Sequence, residues 1–516
     1  MEVQSQWSET GNVVGEYFHN MLLSMALRKD YERQINMPEI SNILLITTDQ
    51  QRFDTIHAAG NPHIRTPHLN WLLDSGIHFR RCYTDSPICM AARATIMTGR
   101  HGFNQGLTSN NNKVTPIEAS SSLPGLLTRQ GYQTRAVGKM HFEPNRCNYG
   151  FEHMEILEDY YRFMAQHPEY GVPTNHGLGQ CEMEPAISTV DESHSLTHWT
   201  VDRSIDFLET RDTTRPFFLW TSFSKPHPPW DPCLNYWKLY ENAPMPAPVY
   251  GNWSQSIGDV PQGFASPTFK NNGADRFDES LLRDIRRAYY ACITQIDYNL
   301  GQLFARMRVL DVLDKTAILF TSDHGEMLGD HHLGGKCVFF EGSAHVPMLY
   351  RPAKGNFDDK ERGSSCDRLV CLADILPTCI ALAGGRLPEK PVDGLDLLAV
   401  HRGQAERPVF FGECENFHCV IEEQHKYTFT PIGAQELLFD LSADPHEQKD
   451  LIRTNAAPEI LKKLRGRLIE RLTQAGHPAV EKGILKATSP TLTPRQVRAS
   501  PWPGFVSRQQ PNEVMH

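Results

Sequence analysis

Four short segments, each followed at once by polar residues, most constrain the fold of this 516-residue chain. They lie at 43–48, 133–137, 216–223 and 316–322 and are rich in apolar, β-branched and aromatic residues. Such short segments are typical of strands buried on both faces of a parallel sheet. Because the chain exceeds the usual size of one core, we predict an α/β fold: a large αβα sandwich domain with a mostly parallel central sheet, and a smaller C-terminal domain.

The residues that follow these segments are expected to lie together, because parallel α/β sheets bind ligands outside the carboxyl ends of their strands. They include Asp49, Gln50, Lys139, His141, His227, Asp323 and His324. The carboxylates and the amide offer hard oxygens that suit Ca²⁺, Mg²⁺ or Mn²⁺, and His324 adds a nitrogen. Taken singly, each residue also fits a turn or a packed loop. Their convergence predicts a metal site beside a cationic pocket.

A cysteine, Cys89, stands at a predicted loop-to-helix junction, and Arg93 follows it by one helical turn. The free N–H groups and the dipole at a helix start favour negative charge. Arg93 lies on the same predicted face and adds a permanent positive charge. Alone, this pattern fits a small buried cysteine better than a reactive one. Combined with the strand ends, it predicts a site suited to an anion.

Several segments of the chain resemble the signature motifs of type I sulfatases in the alkaline-phosphatase superfamily: 89–99, 138–141, 321–331 with Gly335-Lys336, and 438–441 with Asp444-Pro445. That family includes arylsulfatases, choline-sulfatases and glycosaminoglycan sulfatases, and phosphonate monoester hydrolases are close relatives. In the family the motif cysteine is oxidised to formylglycine, whose hydrate is both a metal ligand and the nucleophile. The resemblance implies this role for Cys89.

The resemblance also implies roles for the other site residues. One divalent cation would be bound by Asp49, Gln50, Cys89, Asp323 and His324, with Ca²⁺ favoured by the family and Mg²⁺ or Mn²⁺ as alternatives. Arg93 would hold the formylglycine hydrate, and Lys139 and Lys336 would bind the sulfate oxygens. His141 would assist breakdown of the covalent ester, and His227 would protonate the leaving oxygen. A cation with two lysines neutralises the oxygens of a sulfate ester, which is otherwise a poor electrophile.

The sequence departs from the family pattern at two positions. Ala91 stands where the modification motif usually has proline, so conversion by a formylglycine-generating maturase is expected to be partial or to need a tolerant enzyme. Gln50 stands where many sulfatases have a second aspartate. Together with His324, Gln50 resembles the choline-sulfatase and phosphonate-hydrolase members, which leaves some promiscuity open.

These residues predict metal-dependent hydrolysis of a small-molecule or sugar sulfate ester, with release of sulfate and an alcohol or phenol. A phosphonate monoester or phosphodiester hydrolase on the same scaffold is the alternative, although Lys139 and His141 favour sulfate. If Cys89 is never converted, the chain would be a catalytically silent anion-binding protein. Three aromatic residues after His227 fit either a wall around the leaving group or ordinary packing: Trp230, Tyr236 and Trp237.

Composition excludes several partners. The net charge of −10 argues against nucleic acid, and the chain has no apolar segment of 18 residues that would span a membrane. Residues 21–27 are apolar but lack a basic leader, so they make a poor signal peptide and we expect a cytoplasmic protein. The 12 cysteines have no paired spacing, which predicts free thiols.

We predict four parts: an N-terminal extension (1–40), the sulfatase catalytic αβα domain (41–400), a C-terminal α+β subdomain (401–482) and a C-terminal arm (483–516). In the subdomain, a small antiparallel sheet is expected beneath one helix that begins near Pro458 and ends at Gly476. The extension and the arm are both candidates for packing on a neighbouring subunit, so we expect a homo-oligomer.

Overall fold

The computed structural model describes residues 41–110, 114–179, 182–264, 278–355 and 358–488. Its strands are β1 (Asn42–Asp49), β2 (Ile77–Phe79), β3 (Cys82–Tyr83), β4 (Gln133–Gly138), β5 (His153–Ile156), β6 (Phe217–Pro226), β7 (Thr316–Ser322), β8 (His345–Val346), β9 (Met348–Arg351), β10 (Ser364–Cys366), β11 (Val370–Cys371), β12 (Val409–Cys414), β13 (Phe417–Glu422), β14 (His425–Thr430), β15 (Gln435–Asp440), β16 (Val480–Glu481) and β17 (Ile484–Leu485). The predicted N-terminal extension and most of the predicted arm lie outside these residues.

The helices are α1 (Pro67–Ser75), α2 (Cys89–Thr98), α3 (Gly102–Gln105), α4 (Leu123–Arg129), α5 (Leu157–Gln166), α6 (Leu196–Thr210), α7 (Leu234–Lys238), α8 (Glu279–Val309), α9 (Glu341–Ala344), α10 (Ile375–Leu382), α11 (Leu397–His401) and α12 (Pro458–Gln474). Among the described residues, no helix is both long and apolar enough to cross a membrane. Eleven of the cysteines are described, and all of them are free thiols.

The largest sheet has eight strands in the order β10-β2-β9-β7-β1-β6-β4-β5. All its neighbours pair in parallel except β9, which runs antiparallel to β2 and β7. Successive residues of the central strand β1 pack on opposite faces: Ile43 and Leu45 belong to one apolar core, and Leu44 and Ile46 to another. The sheet is therefore covered on both sides, which confirms the predicted αβα fold class.

The carboxyl ends of the four predicted strands meet at one edge of this sheet, since β1, β4, β6 and β7 are adjacent and parallel. After β1 the chain turns at Gln50, whose φ of 74° lies in the left-handed region. Such a conformation is uncommon for a residue with a side chain and needs support from its surroundings. The edge places the polar residues of four separate segments within reach of one another.

A four-stranded antiparallel sheet, β12-β13-β14-β15, forms the C-terminal part of the described chain. Leu464, Leu468 and Leu472 of α12 pack on one face of it with Tyr427 and Leu438. The other face packs against aromatic residues of the larger part, among them Trp253, Phe339 and Phe340. This arrangement confirms the predicted antiparallel sheet with its covering helix, while the domain boundaries stay a prediction.

The three aromatic residues after His227 serve packing. Trp230 is fully buried and Tyr236 nearly so, and both lie in one apolar core with helix α8. Trp237 is partly buried against the same core. Because their rings pack inside the protein, these residues do not form a wall around the leaving group, which was one of the two alternatives from the sequence.

Candidate active site

Cys89 is the first residue of α2, and its side chain is almost completely buried. Its Sγ atom lies 3.2 Å from Nε2 of His324 and 3.9 Å from Oδ1 of Asp49. Burial raises the pKa of a thiol, but the positive charges of Lys336, Lys139 and His324 outweigh it and hold the pKa of Cys89 well below its ordinary value. The site therefore stabilises negative charge at this side chain.

Four side chains converge around one point: Asp49, Cys89, Asp323 and His324 are fully buried, and their potential ligand atoms lie within 4.8 Å of one another. Burial and the neighbouring charge of Asp49 raise the pKa of Asp323 to about 6. Two carboxylates this close repel each other unless positive charge is placed between them. The donor set, with two hard oxygens and one imidazole, fits a divalent cation.

Arg93 braces the two carboxylates from behind. Its Nε donates to Oδ2 of Asp323 at 2.9 Å, and Nη2 donates to Oδ2 of Asp49 at 3.0 Å. Nη1 donates to the Lys139 carbonyl at 2.6 Å and to the Ser222 hydroxyl at 2.8 Å. With no exposed surface, the guanidinium ties α2 to the ends of β1, β4, β6 and β7. Ser222, whose hydroxyl also donates to the Lys139 carbonyl, was not predicted from the sequence.

Two lysines approach from different segments. Nζ of Lys139, which follows β4, lies 2.8 Å from Oδ2 of Asp49. Nζ of Lys336 donates to Oε1 of Gln50 at 2.6 Å. Both ammonium groups act electrostatically on Cys89. An anion bound beside the Cys89 side chain would therefore be flanked by two positive charges.

Two histidines complete the site, and the side chains of both interact with the Cys89 thiol. Nδ1 of His227 lies 2.8 Å from the Pro228 carbonyl, so it carries the proton that bonds to this acceptor and Nε2 is left for the site. Burial, Lys139 and Lys336 lower the pKa of His227 to about 4. His141 has a left-handed backbone (φ 58°), and its Nδ1 has no hydrogen-bond partner among the described residues.

The side chain of Gln50 has two polar partners. Its Oε1 accepts from Lys336, and its Nε2 donates to Oε2 of Glu326, a residue with no exposed surface. Glu326 was not predicted as a site residue, although it follows Asp323 by three positions in the same motif. The structure thus brings together all the predicted residues and adds Ser222 and Glu326.

A cavity of about 90 Å³ adjoins Lys139 and His227. Tyr160 and Tyr161 of α5 contribute to its wall, together with Lys225 and Asp231. The last two form a partly buried ion pair, and Oδ2 of Asp231 lies 3.2 Å from Nε2 of His176. The cavity is therefore lined by both rings and polar groups.

Comparison with known proteins agrees with this geometry. The sulfatase family profile matches residues 41–385. The chain is 32% identical over 497 residues to an arylsulfatase of Clostridium perfringens, covering 89% of this chain and 99% of that protein. It is 29% identical to a choline-sulfatase of Rhizobium meliloti, covering 81% of this chain and 83% of that one.

Among solved structures, the phosphonate monoester hydrolase of Agrobacterium radiobacter is similar at a TM-score of 0.73 and 25% identity. The match covers 84% of this chain and 96% of the hydrolase. The family profile, the relatives and the fold thus agree with the buried site at the sheet edge. The chain belongs to the sulfatase family of the alkaline-phosphatase superfamily and is a sulfuric ester hydrolase.

Proposed function

We propose that this sulfuric ester hydrolase uses a formylglycine made from Cys89 as its nucleophile, and that its substrate is a small-molecule or sugar sulfate ester. The observation that carries the proposal is the position of Cys89, buried at a helix start within 4.8 Å of the carboxylates and the imidazole. A thiol would form a sulfate adduct with no easy exit. A hydroxyl of the hydrated aldehyde attacks sulfur as the S–O bond to the alcohol breaks. The second hydroxyl then loses its proton and the carbon–oxygen bond breaks, which expels sulfate and restores the aldehyde.

The same cluster fits one divalent cation. Asp49, the Cys89-derived side chain, Asp323 and His324 would hold it, and Gln50 is the fifth predicted ligand. A bound cation would supply Lewis-acid charge that lowers the cost of negative charge on the sulfuryl oxygens. By family resemblance we propose Ca²⁺, with Mg²⁺ or Mn²⁺ as alternatives.

The basic residues divide the remaining tasks. Lys139 and Lys336 neutralise the sulfuryl oxygens from two sides, and Arg93 keeps the acidic groups aligned with the nucleophile. His227 presents Nε2 to the site and would protonate the leaving oxygen. With a pKa of about 4 it is neutral in the resting protein, and the charge of a bound ester raises its affinity for the proton that it passes on. His141 would assist breakdown of the covalent ester.

The cavity beside His227 is the space into which the alcohol of the ester would extend. Its volume of about 90 Å³ and its mixed lining favour a compact leaving group with at least one polar atom over a long apolar chain. This favours a small-molecule or sugar ester.

Maturation is part of the proposal. Cys89 is 1% exposed in the folded protein, so a formylglycine-generating maturase must reach it before folding or through local opening. Intact mass measures the outcome directly, since conversion replaces sulfur by oxygen and removes two hydrogens. A protein that keeps its cysteine in all molecules and hydrolyses nothing would be the silent anion-binding alternative.

A substrate panel tests the function: an aryl sulfate, choline sulfate, sugar sulfates and a phosphonate monoester, each at matched concentration. We expect the highest kcat/KM for a sulfate ester. Preference for the phosphonate would establish the second candidate, which is favoured by the similarity to the phosphonate monoester hydrolase and by Gln50 and His324.

A further inference from the structure

We propose that Glu326 is a positioning residue that sets the direction of the Gln50 amide and, through it, the place of the Lys336 ammonium. The inference rests on the proposed function, because it concerns how the lysine that faces the sulfuryl oxygens is held. It assigns a role to a buried carboxylate outside the proposed catalytic and ligand set.

Both oxygens of Glu326 are occupied, and the residue has no exposed surface. Oε1 accepts from the backbone N–H of Leu328 at 3.1 Å and from that of Gly335 at 2.5 Å. Oε2 accepts from Nε2 of Gln50. Glu326 therefore closes the loop that leads from Asp323 to Lys336 and at the same time reaches across to the end of β1.

The two neighbours of the Gln50 amide determine which way it points. A carboxylate only accepts hydrogen bonds, so the nitrogen of Gln50 faces Glu326. An ammonium only donates, so the oxygen faces Nζ of Lys336, at 2.6 Å. A flipped amide would place its nitrogen against Lys336 and its oxygen against Glu326, with like groups facing at both ends.

The backbone of Gln50 leaves the side chain little freedom. Its carbonyl accepts from the Tyr289 hydroxyl at 2.6 Å, and its N–H donates to Oδ1 of Asp323 at 3.0 Å. Its left-handed φ of 74° is held between these two bonds. An amide oxygen has two lone pairs, so the contact with Lys336 is compatible with the ligand role predicted for Gln50.

Glu326 thus acts on Lys336 twice. It fixes the backbone of Gly335, the residue just before the lysine, and it orients the amide that receives the ammonium. The effect on catalysis is indirect: Glu326 would fix where the charge of Lys336 meets the substrate oxygens.

The decisive experiment exchanges the carboxylate at position 326 and the amide at position 50. Glu326→Gln places an amide opposite the Gln50 amide and is expected to lower kcat/KM by about 10–100-fold, the range for residues that hydrogen-bond to a metal ligand, as Glu326 does to the predicted ligand Gln50. The double variant Gln50→Glu/Glu326→Gln restores the pattern. Glu at position 50 accepts from both Lys336 and the new amide at 326, and the net charge is that of wild type. We expect it to recover most of the loss.

The matched control is Asp330→Asn in the same loop. Asp330 is buried and bonds to Arg52 and Arg286 at 2.8 and 2.7 Å, and Nη1 of the same Arg52 donates to the backbone carbonyl of Glu326 at 2.9 Å. Asp330→Asn therefore disturbs the loop while the side-chain contacts of Glu326 with Gln50 stay in place. It is expected to lower the melting temperature without the loss in kcat/KM. If Glu326→Gln does not fold, the double variant is compared with Gln50→Glu, which sets two carboxylates against each other. Both variants carry glutamate at position 50, so a recovery of kcat/KM in the double variant at equal bound cation is due to the residue at position 326.

Each variant is measured for bound cation, melting temperature, kcat and KM on the best ester of the panel, and the inhibition constant of inorganic sulfate. A double variant no better than Glu326→Gln, with cation fully bound, would show that Glu326 only supports the loop. Loss of kcat/KM in Asp330→Asn equal to that in Glu326→Gln would show the same. If wild type cleaves only a phosphonate monoester, the proposed function fails, while the same variants on that ester still decide the role of Glu326.

Discussion

Two of the places where the described chain buries charged side chains are arranged differently. In the active site, Asp49, Cys89, Asp323 and His324 direct their polar atoms at one shared point. In the second place, which we call the C-terminal cluster, Lys426 of β14 lies between Glu341 and Glu447. Its Nζ donates to both carboxylates and to the Phe339 carbonyl, and Nδ1 of His345 lies 2.6 Å from Oε2 of Glu341.

Burial alone does not distinguish a functional group of charges from a structural one. Lys426 has no exposed surface, like Asp323, yet its ammonium donates to three acceptors of the protein itself: the Phe339 carbonyl and the two carboxylates. Both oxygens of Glu447 also have partners within the protein, since Oε1 accepts from Lys426 and Oε2 accepts from the N–H of Glu341 at 2.7 Å. In the active site, Asp49 and Asp323 share Arg93 and still direct polar atoms, with Cys89 and His324, at one point where a cation from outside would find its ligands. This predicts that the two places respond oppositely to substitution.

The largest expected effect is on turnover. Cys89→Ala removes the nucleophile and should lower kcat by about a thousandfold or more, because no neighbouring group can replace it. Circular dichroism and the melting temperature should stay close to wild type. Retention of a tenth of the activity would exclude Cys89 as the nucleophile. Cys89→Ser should also be poor, since a serine needs a different maturase to give the same product.

Chelation is expected to abolish activity, and Ca²⁺, Mg²⁺ or Mn²⁺ to restore it. The cation should also raise the melting temperature, because it binds the folded state only. Asp323→Asn should remove this rise, whereas Glu447→Gln in the C-terminal cluster should keep it. Differential scanning fluorimetry with and without cation makes the comparison. A stoichiometric pair of zinc ions would instead indicate phosphatase chemistry.

His227→Ala and Lys336→Ala separate leaving-group chemistry from sulfate binding. Loss of a general acid costs about 10²–10⁴-fold for an ester whose alcohol leaves poorly, and much less for an activated aryl sulfate. Lys336→Ala should affect both esters equally, because its charge acts on oxygens common to every substrate. The measurement is kcat/KM across leaving groups of graded pKa. Equal losses for His227→Ala at every leaving group would reassign His227 to binding or structure.

Substitution in the C-terminal cluster should change stability instead. Lys426→Met leaves the buried Glu341 carboxylate without its cation and is expected to cost about 3–5 kcal/mol of unfolding free energy. Denaturant unfolding measures this, and kcat per folded molecule should be unchanged. A matched control is Lys463→Met, whose side chain is 43% exposed and whose ion pair with Glu422 is expected to contribute little. A loss of kcat in fully folded Lys426→Met would show that the C-terminal cluster affects catalysis in the active site.

Much of the fold and most of the site followed from the sequence because both depend on local patterns. Strands buried on both faces lack polar residues until they end, so Asp49 and Asp323 marked the sheet edge directly. The start of α2 at Cys89 was also predicted from the neighbouring residues, as a loop-to-helix junction. The direction of the Gln50 amide was not, since it depends on Glu326 and Lys336, which are 276 and 286 positions away. Lys426 gave no signal either, because a lysine in a strand is ordinarily exposed.

The smallest expected effect is a dependence of stability on pH, and it again separates the two places. In the C-terminal cluster, burial and the charge of Glu341 outweigh Lys426 and raise the pKa of Glu447 from its ordinary 4.5 to about 7. The folded state therefore holds a proton that the unfolded state has released between these values. Its contribution to stability is complete below pH 4.5 and is lost as the pH rises through 7.

Asp323 behaves alike without cation, since burial and Asp49 raise its pKa from 3.8 to about 6. A bound cation requires the ionised carboxylate, so it should remove the contribution of Asp323 and leave that of Glu447. Each proton changes the unfolding free energy by at most about 1.4 kcal/mol per pH unit. The test is the slope between pH 5 and 7, by denaturant unfolding, for wild type and Glu447→Gln, each with and without cation. Glu447→Gln should lower the slope by the same amount with and without cation, because the cation removes only the contribution of Asp323. A slope equal to that of wild type would show that Glu447 is ionised throughout this range.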